Sequence, residues 1–531
     1  MSKETGSPLA PFRQRTFLIL WIATVIGNTG TFIRDVASSW QVTDLSSAPS
    51  DVALIQAAST LPIFLLAIPA GVLADILDRR RFLLVTQLIL CAASLGLLLV
   101  SATGMQSMTS LVALTLVGGV GAALMAPTWQ AIVPELVERS QLASAIALNS
   151  IGINVARAIG PALGGILLVS FGAAVTYGLD ALSYVFVVAA LILWKRDSRA
   201  RDPLAEHFFG AFRAGLRYAR ASRELHIILL RAAVFFLFSS AIWALLPLVA
   251  RSLLSGTAGF YGVLLGAVGV GAIVGAFLLP TLRTLFSVDG LMLLAALLSA
   301  FSMALFAMVP PRSVAIIILL VMGGAWIIAL TTLNGAAQAV LPNWVRGRSL
   351  AIYLTVFNGA ITSGSLIWGA VAQHIGLEMA LLLAAGGVAI AGIIFHFLKL
   401  PKGEADLLPS DHWPVPLLAK PVKTDRGPLL VTVEYRIDRA ETKPFLAAIG
   451  RLSAERRRDG AYAWGVTEDT SAPEIMVEWF MVESWAEHLR QHRRTSRAAA
   501  ELQLEVVSFH VSEDPPRVRH LLAIDERTST L

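Results

Sequence analysis

The stretch Gly71-Val-Leu-Ala-Asp75-Ile-Leu-Asp78-Arg79-Arg80-Arg81 limits what this chain can fold into more than any other. It joins two apolar runs, Val52–Leu73 and Phe82–Ser101. Each is long enough to cross a bilayer, which takes about 20 apolar residues. Two carboxylates and three consecutive arginines have no place in hydrocarbon, so the connection must lie at a membrane surface. The arginine excess makes that surface the cytoplasmic one, because loops rich in Lys and Arg stay inside.

Composition extends this to the whole chain. Of 531 residues 56% are hydrophobic and only 15% charged, against about 25% charged in a soluble domain. A single globular core is excluded; an all-α polytopic membrane protein, embedded in membrane lipid, is expected. Apolar runs lie at about Thr16–Trp40, Val52–Ala74, Phe82–Ser101, Thr109–Val133, Ala143–Ser170 and Gly172–Trp194. Six more follow at Leu225–Leu253, Phe260–Leu279, Val288–Val309, Val314–Val340, Leu350–Ala372 and Met379–Leu398. Twelve crossings put both termini in the cytoplasm. The alternate loops agree: one set holds Arg79–Arg81, Arg139, the run from Lys195 to Arg223, Arg283, Arg346 and Arg348, while the other carries little beyond Arg251 and Arg312. The net charge of +6 is thereby placed in inner loops and tail and implies no nucleic-acid partner. Cys91 is the only cysteine, so an intrachain disulfide or a cysteine-based zinc site is excluded. No cleavable signal peptide is expected, since the N-terminus leads straight into a full-length span. There is no Walker-type phosphate loop, and no cofactor is expected.

The chain divides into an N-terminal six-helix bundle (1–198), a linker (199–224), a second six-helix bundle (225–400), a proline-rich linker (401–426) and a soluble tail (427–531). The halves repeat weakly: Ala131-Ile-Val-Pro134-Glu-Leu-Val137 overlays Ala339-Val-Leu-Pro342-Asn-Trp-Val345, and after a one-residue shift Asn149 meets Asn358. In the linker, Phe208, Phe209, Phe212 and Leu216 recur at helical spacing beside Arg213, Arg217 and Arg220. This predicts a basic amphipathic helix in the inner headgroup region. In the tail, Leu429–Ile437 alternates like a strand and Thr442–Arg458 is helical; Ala461–Thr467 and Glu474–Val482 follow as strands. A helix over Ser484–Leu504, capped by Ser484, and a closing strand at Val506–Val511 complete a β-α-β-β-α-β order. That is the split ferredoxin-like arrangement, a small α+β cytoplasmic domain.

The Gly-x-x-x-Asp pattern with a following basic cluster resembles the signature loop of the major facilitator superfamily, matching at Gly71, Asp75, Arg79 and Arg80. Ile76 and Asp78 depart from it. Gly160-Pro161-Ala-Leu-Gly164-Gly165 resembles the helix-5 signature of the drug-antiporter branch. Its glycines admit a neighbouring backbone and its proline bends the helix. Thr115 stands where that branch carries an arginine. With Tyr218–Glu224, Ala244–Arg251, Trp344–Arg348 and Ser484–His492, the chain is similar to the bacterial enterobactin-exporter-like transmembrane secretion effectors. The resemblance implies a plasma-membrane exporter of siderophore-like or drug-like molecules, coupled to protons, with Gly71, Asp75, Arg79 and Arg80 as a cytoplasmic latch meeting the start of helix 11. Uptake instead of efflux is the alternative.

Ionisable groups inside spans are functional candidates by default. Asp35 and Asp180 are the carboxylates and Arg34, Arg157 and Arg231 the cations; Arg157 is expected to pair with either acid and to take over the charge missing at Thr115. A dry cavity disfavours an ionised carboxyl and a nearby guanidinium favours it, a balance suited to taking and releasing a proton. Asn28, Gln56, Asn149, Asn154, Asn334 and Asn358 are candidates for the cavity wall, with Trp40, Trp243, Trp326 and Trp368 as aromatic surfaces. The tail's order is also similar to the small monooxygenases of antibiotic biosynthesis, which would make it a fused enzyme. A regulatory, self-associating module is the preferred reading, with no catalytic residues. His488 and His492 stand at i, i+4, a spacing that can hold a metal, but a solvated basic helix face is expected and no metal site is assigned.

Overall fold

The computed structural model describes residues 9–194, 208–342, 345–401, 410 and 426–524. Among these, eleven helices are long and apolar enough to cross a membrane. They are α1 (Arg15–Leu45), α2 (Pro49–Ile76), α3 (Arg79–Ala102), α4 (Met108–Leu136) and α5 (Leu142–Leu193), then α7 (Arg223–Leu248), α8 (Ala258–Leu285), α9 (Val288–Ala307), α10 (Arg312–Ala339), α11 (Arg346–Ile375) and α12 (Leu377–Phe397). Short polar side chains fix the starts. Asp78 accepts from the Arg81 N–H to open α3, Ser107 and Ser110 form a capping box on α4, and Ser287 accepts from Gly290 on α9. The connection expected at Phe171 is a kink inside α5, where Gly172 takes φ +80°, a left-handed value that glycine adopts at little cost.

Contacts divide the chain into two units. The first holds most of the membrane helices. There α1 packs on α5, α2 on α4, α3 on α4 and α5, α5 on α8, and α9 on α12. Arg231 on α7 pairs with Asp289 of α9 and donates to the Leu398 carbonyl, so it ties helix ends together.

The second unit holds α6 (Phe208–Ala221), the connection before α11, and the tail: β1 (Leu429–Arg436), α13 (Thr442–Asp459), β2 (Ala463–Asp469), β3 (Ala472–Val482), α14 (Trp485–Arg494), α15 (Arg497–Val507) and β4 (Arg517–Leu522). The sheet is antiparallel throughout, in the order β2-β3-β1-β4. Alternate residues of β1, Leu429, Val431, Val433 and Tyr435, are buried under the helices. The expected strand at Val506–Val511 is overturned: Val506 ends α15, buried against Phe445 and Ile449, and the closing strand lies further on. The single helix expected over Ser484–Leu504 is two, because Ser496 opens a new one by accepting from the Ala499 N–H. Most of the proline-rich linker lies outside the described residues.

The linker helix, α6, has partners in the tail. Its Arg217 pairs with Glu487 (3.0 Å) and Glu483 (3.5 Å) of the tail, Arg458 stands over the Tyr218 ring, and Tyr218 donates to the Val340 carbonyl (3.0 Å). Arg217 of this basic face thus meets acidic side chains of the tail, while Arg213 and Arg220 are exposed. The side chains of Phe208, Phe209 and Phe212 lie outside the described residues.

Candidate functional site

Residues three, four and seven apart share a helix face. On α1 this rule brings Thr31, Arg34, Asp35 and Ser38 together; on the second segment of α5 it does so for Tyr177, Asp180 and Tyr184. The two faces meet as a polar seam. Thr31 Oγ1 lies 2.8 Å from the Tyr184 hydroxyl, and Ser38 Oγ 3.3 Å from that of Tyr177. Gly27 and Gly30 let α1 approach: a Cβ on Gly30 would stand 2.8 Å from Asp180 Oδ1.

Arg34 sits at the centre. Its Nη2 lies 3.0 Å from Asp35 Oδ1, and its Nη1 lies 3.7 Å from Asp180 Oδ2 and 3.3 Å from the Tyr184 hydroxyl. The carboxylates differ in access. The Asp35 side chain is 49% exposed, and that of Asp180 is fully buried. Ser94 on α3 donates to Asp180 Oδ2 at 2.5 Å, whereas Oδ1 has no hydrogen-bond partner among the described residues. Such a carboxylate has unused capacity, which a proton or a shifted guanidinium would satisfy.

The pairing expected of Arg157 is therefore corrected: Arg34 serves both acids, and among the described residues Arg157 makes no ion pair. Its carbonyl is the one freed by Pro161 four residues on, and Gly269 of α8 packs over it. Arg34 also explains the neutral Thr115, because the guanidinium lies against Gly118 of the same helix, α4.

The Gly160–Gly165 motif is a double contact surface. A Cβ on Gly160 would stand 2.6 Å from Phe32 Cβ, and one on Gly164 3.0 Å from Ile33 Cα, both on α1. One on Gly165 would stand 2.8 Å from the Ala258 carbonyl oxygen of α8, and one on Gly262 2.7 Å from that of Pro161. The halves also meet where Thr60 of α2 and Thr362 of α11 share a 2.7 Å hydrogen bond. Arg251 closes the same end: it pairs with Asp44, donates to Thr43 and covers the Trp40 ring.

Other candidates separate by their partners. Asn149 Oδ1 accepts from Trp129, Asn154 and Asn358 donate to carbonyls one turn back, and Asn334 is half-buried on α10. Asn28 and Gln56 are half-buried with no side-chain partner among the described residues, so their amides stay available. In the second half, Phe236, Trp243, Trp326 and Phe357 form an edge-to-face cluster with centroids 4.5–5.1 Å apart along its chain, and the buried Trp243 Nε1 has no partner there. Trp368 is used in packing, donating to the Leu237 carbonyl.

In the signature loop, Arg79 pairs with Glu135 of α4 (2.7 Å) and donates to the Ala131 carbonyl, while Arg80 caps the end of α5 at Leu191 and Ile192. Gly71 has open space around it. Asp75 lies in the last turn of α2; its side chain is outside the described residues. Glu135, Ser94, Tyr177 and Tyr184 were not singled out above. The signal for Tyr177 and Tyr184 is their spacing from Asp180; Glu135 stands inside the repeated Ala131–Val137 stretch.

A family model described as transmembrane secretion effector matches residues 6–529, through the tail. The staphyloferrin A transporter of Staphylococcus aureus is 24% identical over 70% of this chain and 93% of its own length. The enterobactin exporter EntS of Salmonella typhimurium is 27% identical over 73% and 92%, and the multidrug efflux pump Tap of Mycolicibacterium fortuitum 22% over 72% and 95%. Among solved structures, the nucleoside transporter NupG superposes with a TM-score of 0.62 at 10% identity, covering 72% of this chain and 99% of that one. An inward-facing bacterial homologue of the lysosomal transporter Spinster gives 0.57 at 16%, covering 75% and 97%.

Proposed function

As the chain belongs to the transmembrane secretion effector family of major facilitators, we propose that it exports a small amphipathic compound, siderophore-like or drug-like, across the bacterial plasma membrane by proton antiport. The observation that carries this is Arg34 held between an exposed carboxylate and a sealed one. Protonating Asp35 removes one of the two partners, and the guanidinium then leans on Asp180 alone. Releasing the proton draws it back. One arginine, two carboxylates and one proton sum to zero charge, the state that crosses a dry interior at least cost. Asp35 exchanges the proton and Asp180 balances the arginine, while Arg157 lies outside the relay. Asn28, Gln56 and the aromatic cluster around Trp326 suit an organic molecule with apolar bulk and a few polar groups.

The rest of the reading follows from this cycle. With the kink at Gly172 dividing α5, the chain crosses the membrane twelve times and both termini are cytoplasmic. The helices form two six-helix repeats: α5 lays glycines on α1 and α8, and α11 lays Gly364 on α7 and Gly369 on α2, the arrangement a two-fold between halves requires. The end closed by Arg251 is then the outer one, and the cavity opens inward. Asp75, Arg79 and Arg80 act as the latch of the cytoplasmic side, with Glu135 as the partner Arg79 exchanges. The tail is a ferredoxin-like module without catalysis, and its strand order 2-3-1-4 fits that fold; self-association is its proposed mode.

The test uses inside-out vesicles with an acid lumen. Hydrophobic siderophores and cationic drugs are added one at a time while proton release is followed. Release on adding a compound, abolished in Asp35→Asn with compound binding retained, is expected. Undiminished release in Asp35→Asn removes the relay, and binding without any proton movement removes antiport.

A further inference from the structure

The tail carries a group of side chains that export does not use. His488 and His492 lie one turn apart on α14, with their Nε2 atoms 3.1 Å from each other. His520 comes from β4. There it pairs with Val431, and directly opposed residues of an antiparallel pair point to the same face, so His520 joins Val431 on the side covered by helices. Its ring centroid lies 4.7 Å from that of His488, and one ring nitrogen from each of the three histidines falls within 4.8 Å of the others. This face was expected to be solvated. Instead His488 is buried, and Trp485 packs on both His488 and His520.

From these positions we propose that His488, His492 and His520 form a binding site for one divalent first-row transition-metal ion of the zinc type. Three imidazoles around an ion at about 2.0–2.1 Å have nitrogens roughly 3.3 Å apart, close to the His488–His492 separation. Water or a cargo group takes the fourth position. His488 Nδ1 lies 3.4 Å from Gln491 Oε1; with the hydrogen on that nitrogen, Nε2 keeps its lone pair for the ion. The nearby cation, Arg456, is paired with Glu478 at 3.1 Å and does not oppose an ion unscreened. Imidazole-only ligation favours zinc, copper or nickel over magnesium or calcium.

The ion would pin α14 to β4. Glu487, which pairs with Arg217 of the linker helix, immediately precedes His488. Occupancy thus bears on how firmly the tail holds α6. The site depends on neither the direction of transport nor the proton relay.

The test uses the full chain, purified in detergent without a histidine tag, titrated with zinc against a coloured chelator and, separately, with cobalt(II). One zinc per chain is expected, with the intense visible absorption of tetrahedral cobalt. His492→Gln and His520→Gln should each weaken zinc by more than about 100-fold, since losing a ligand exceeds the 10- to 100-fold typical of losing a partner that orients one. His226→Gln, at an exposed position outside the trio, should leave binding unchanged. Circular dichroism of the metal-free proteins checks that each variant is folded; if one is not, the other decides. Absence of zinc binding in the wild type overturns the proposal. So does binding that neither substitution weakens, or a pale octahedral cobalt spectrum.

Discussion

Two buried arginines of this chain are held in opposite ways. In the tail, Arg456 reaches Glu478, and every oxygen of that carboxylate is used: Oε1 accepts from Arg456 Nε and Trp464, and Oε2 from Tyr435 and Arg456 Nη2. In the membrane, Arg34 is divided between Asp35, which is open, and Asp180, which among the described residues keeps one oxygen unpartnered. A fully satisfied network rigidifies one arrangement, whereas a partly satisfied one leaves acceptor capacity that a second arrangement can use. The first is how a fold is fixed. The second is what a transporter that must change state twice per cycle requires.

Breaking each cluster separates these roles. Glu478→Ala removes the buried carboxylate that takes two hydrogen bonds from Arg456, which should cost the tail about 3–5 kcal/mol. The loss is read as faster hydrogen exchange across β1 and β3. Asp180→Asn should cost less, about 1–2 kcal/mol or below, because Arg34 keeps Asp35 and an amide oxygen can still accept from Ser94. Thermal unfolding in detergent measures it. If Asp180→Asn proves as damaging as Glu478→Ala, the membrane cluster is structural and the contrast fails.

Much of this was readable without coordinates. The charged loop after α2 and the lengths of the apolar runs dictate helices, because hydrocarbon leaves the backbone no other way to satisfy itself. Asp35, Asp180 and Arg34 stood out because charge in a span is expensive. Their pairing was not legible: Arg157 and Arg34 are equally charged, and only the packing of Gly27 and Gly30 against the second segment of α5 brings Arg34 to Asp180. The tail misled for a related reason. A basic, His-rich helix reads as a wet surface, yet His488 and Gln491 are buried under β4, a strand so polar (Arg517-Val-Arg-His-Leu-Leu522) that the preceding Val506–Val511 looked the better candidate. Partners distant in sequence decide such cases, and periodicity carries no information about them.

The linker contact gives a smaller effect. Arg217→Ala removes the 3.0 Å pair with Glu487, but Arg494 (2.6 Å) and Arg490 (3.1 Å) still hold that carboxylate. A partly exposed pair of this kind contributes about 1 kcal/mol or less. The expected outcome is faster exchange in α6 with the tail sheet unchanged. Protection lost in the sheet as well would make the linker helix part of the tail's core.

The smallest effect concerns pH and is a partial cancellation. Burial raises Asp459 to about 7, more than Arg458 lowers it, with Glu455 adding to the rise. The folded tail therefore binds this proton more tightly than the unfolded chain. The stability so conferred is complete below the unfolded value of about 4 and is lost as pH rises through about 7. In the metal-free tail His488 has the reverse sign: lowered by burial to about 3, it contributes stability that is present above its unfolded value of about 6.5 and lost as pH falls towards 3. His520, lowered in the same way, adds to it. Between about pH 4 and 6.5 these two slopes oppose in the metal-free wild-type tail, so each offsets part of the other. Asp459→Asn removes one of them, and the variant should become steadily more stable as pH rises across that window, measured by hydrogen exchange of α13 and β1 with the exchange rate corrected for pH. A variant with the same slope as the wild type would mean that Asp459 keeps its charge inside the tail, satisfied by the Arg458 and Arg494 side chains around it.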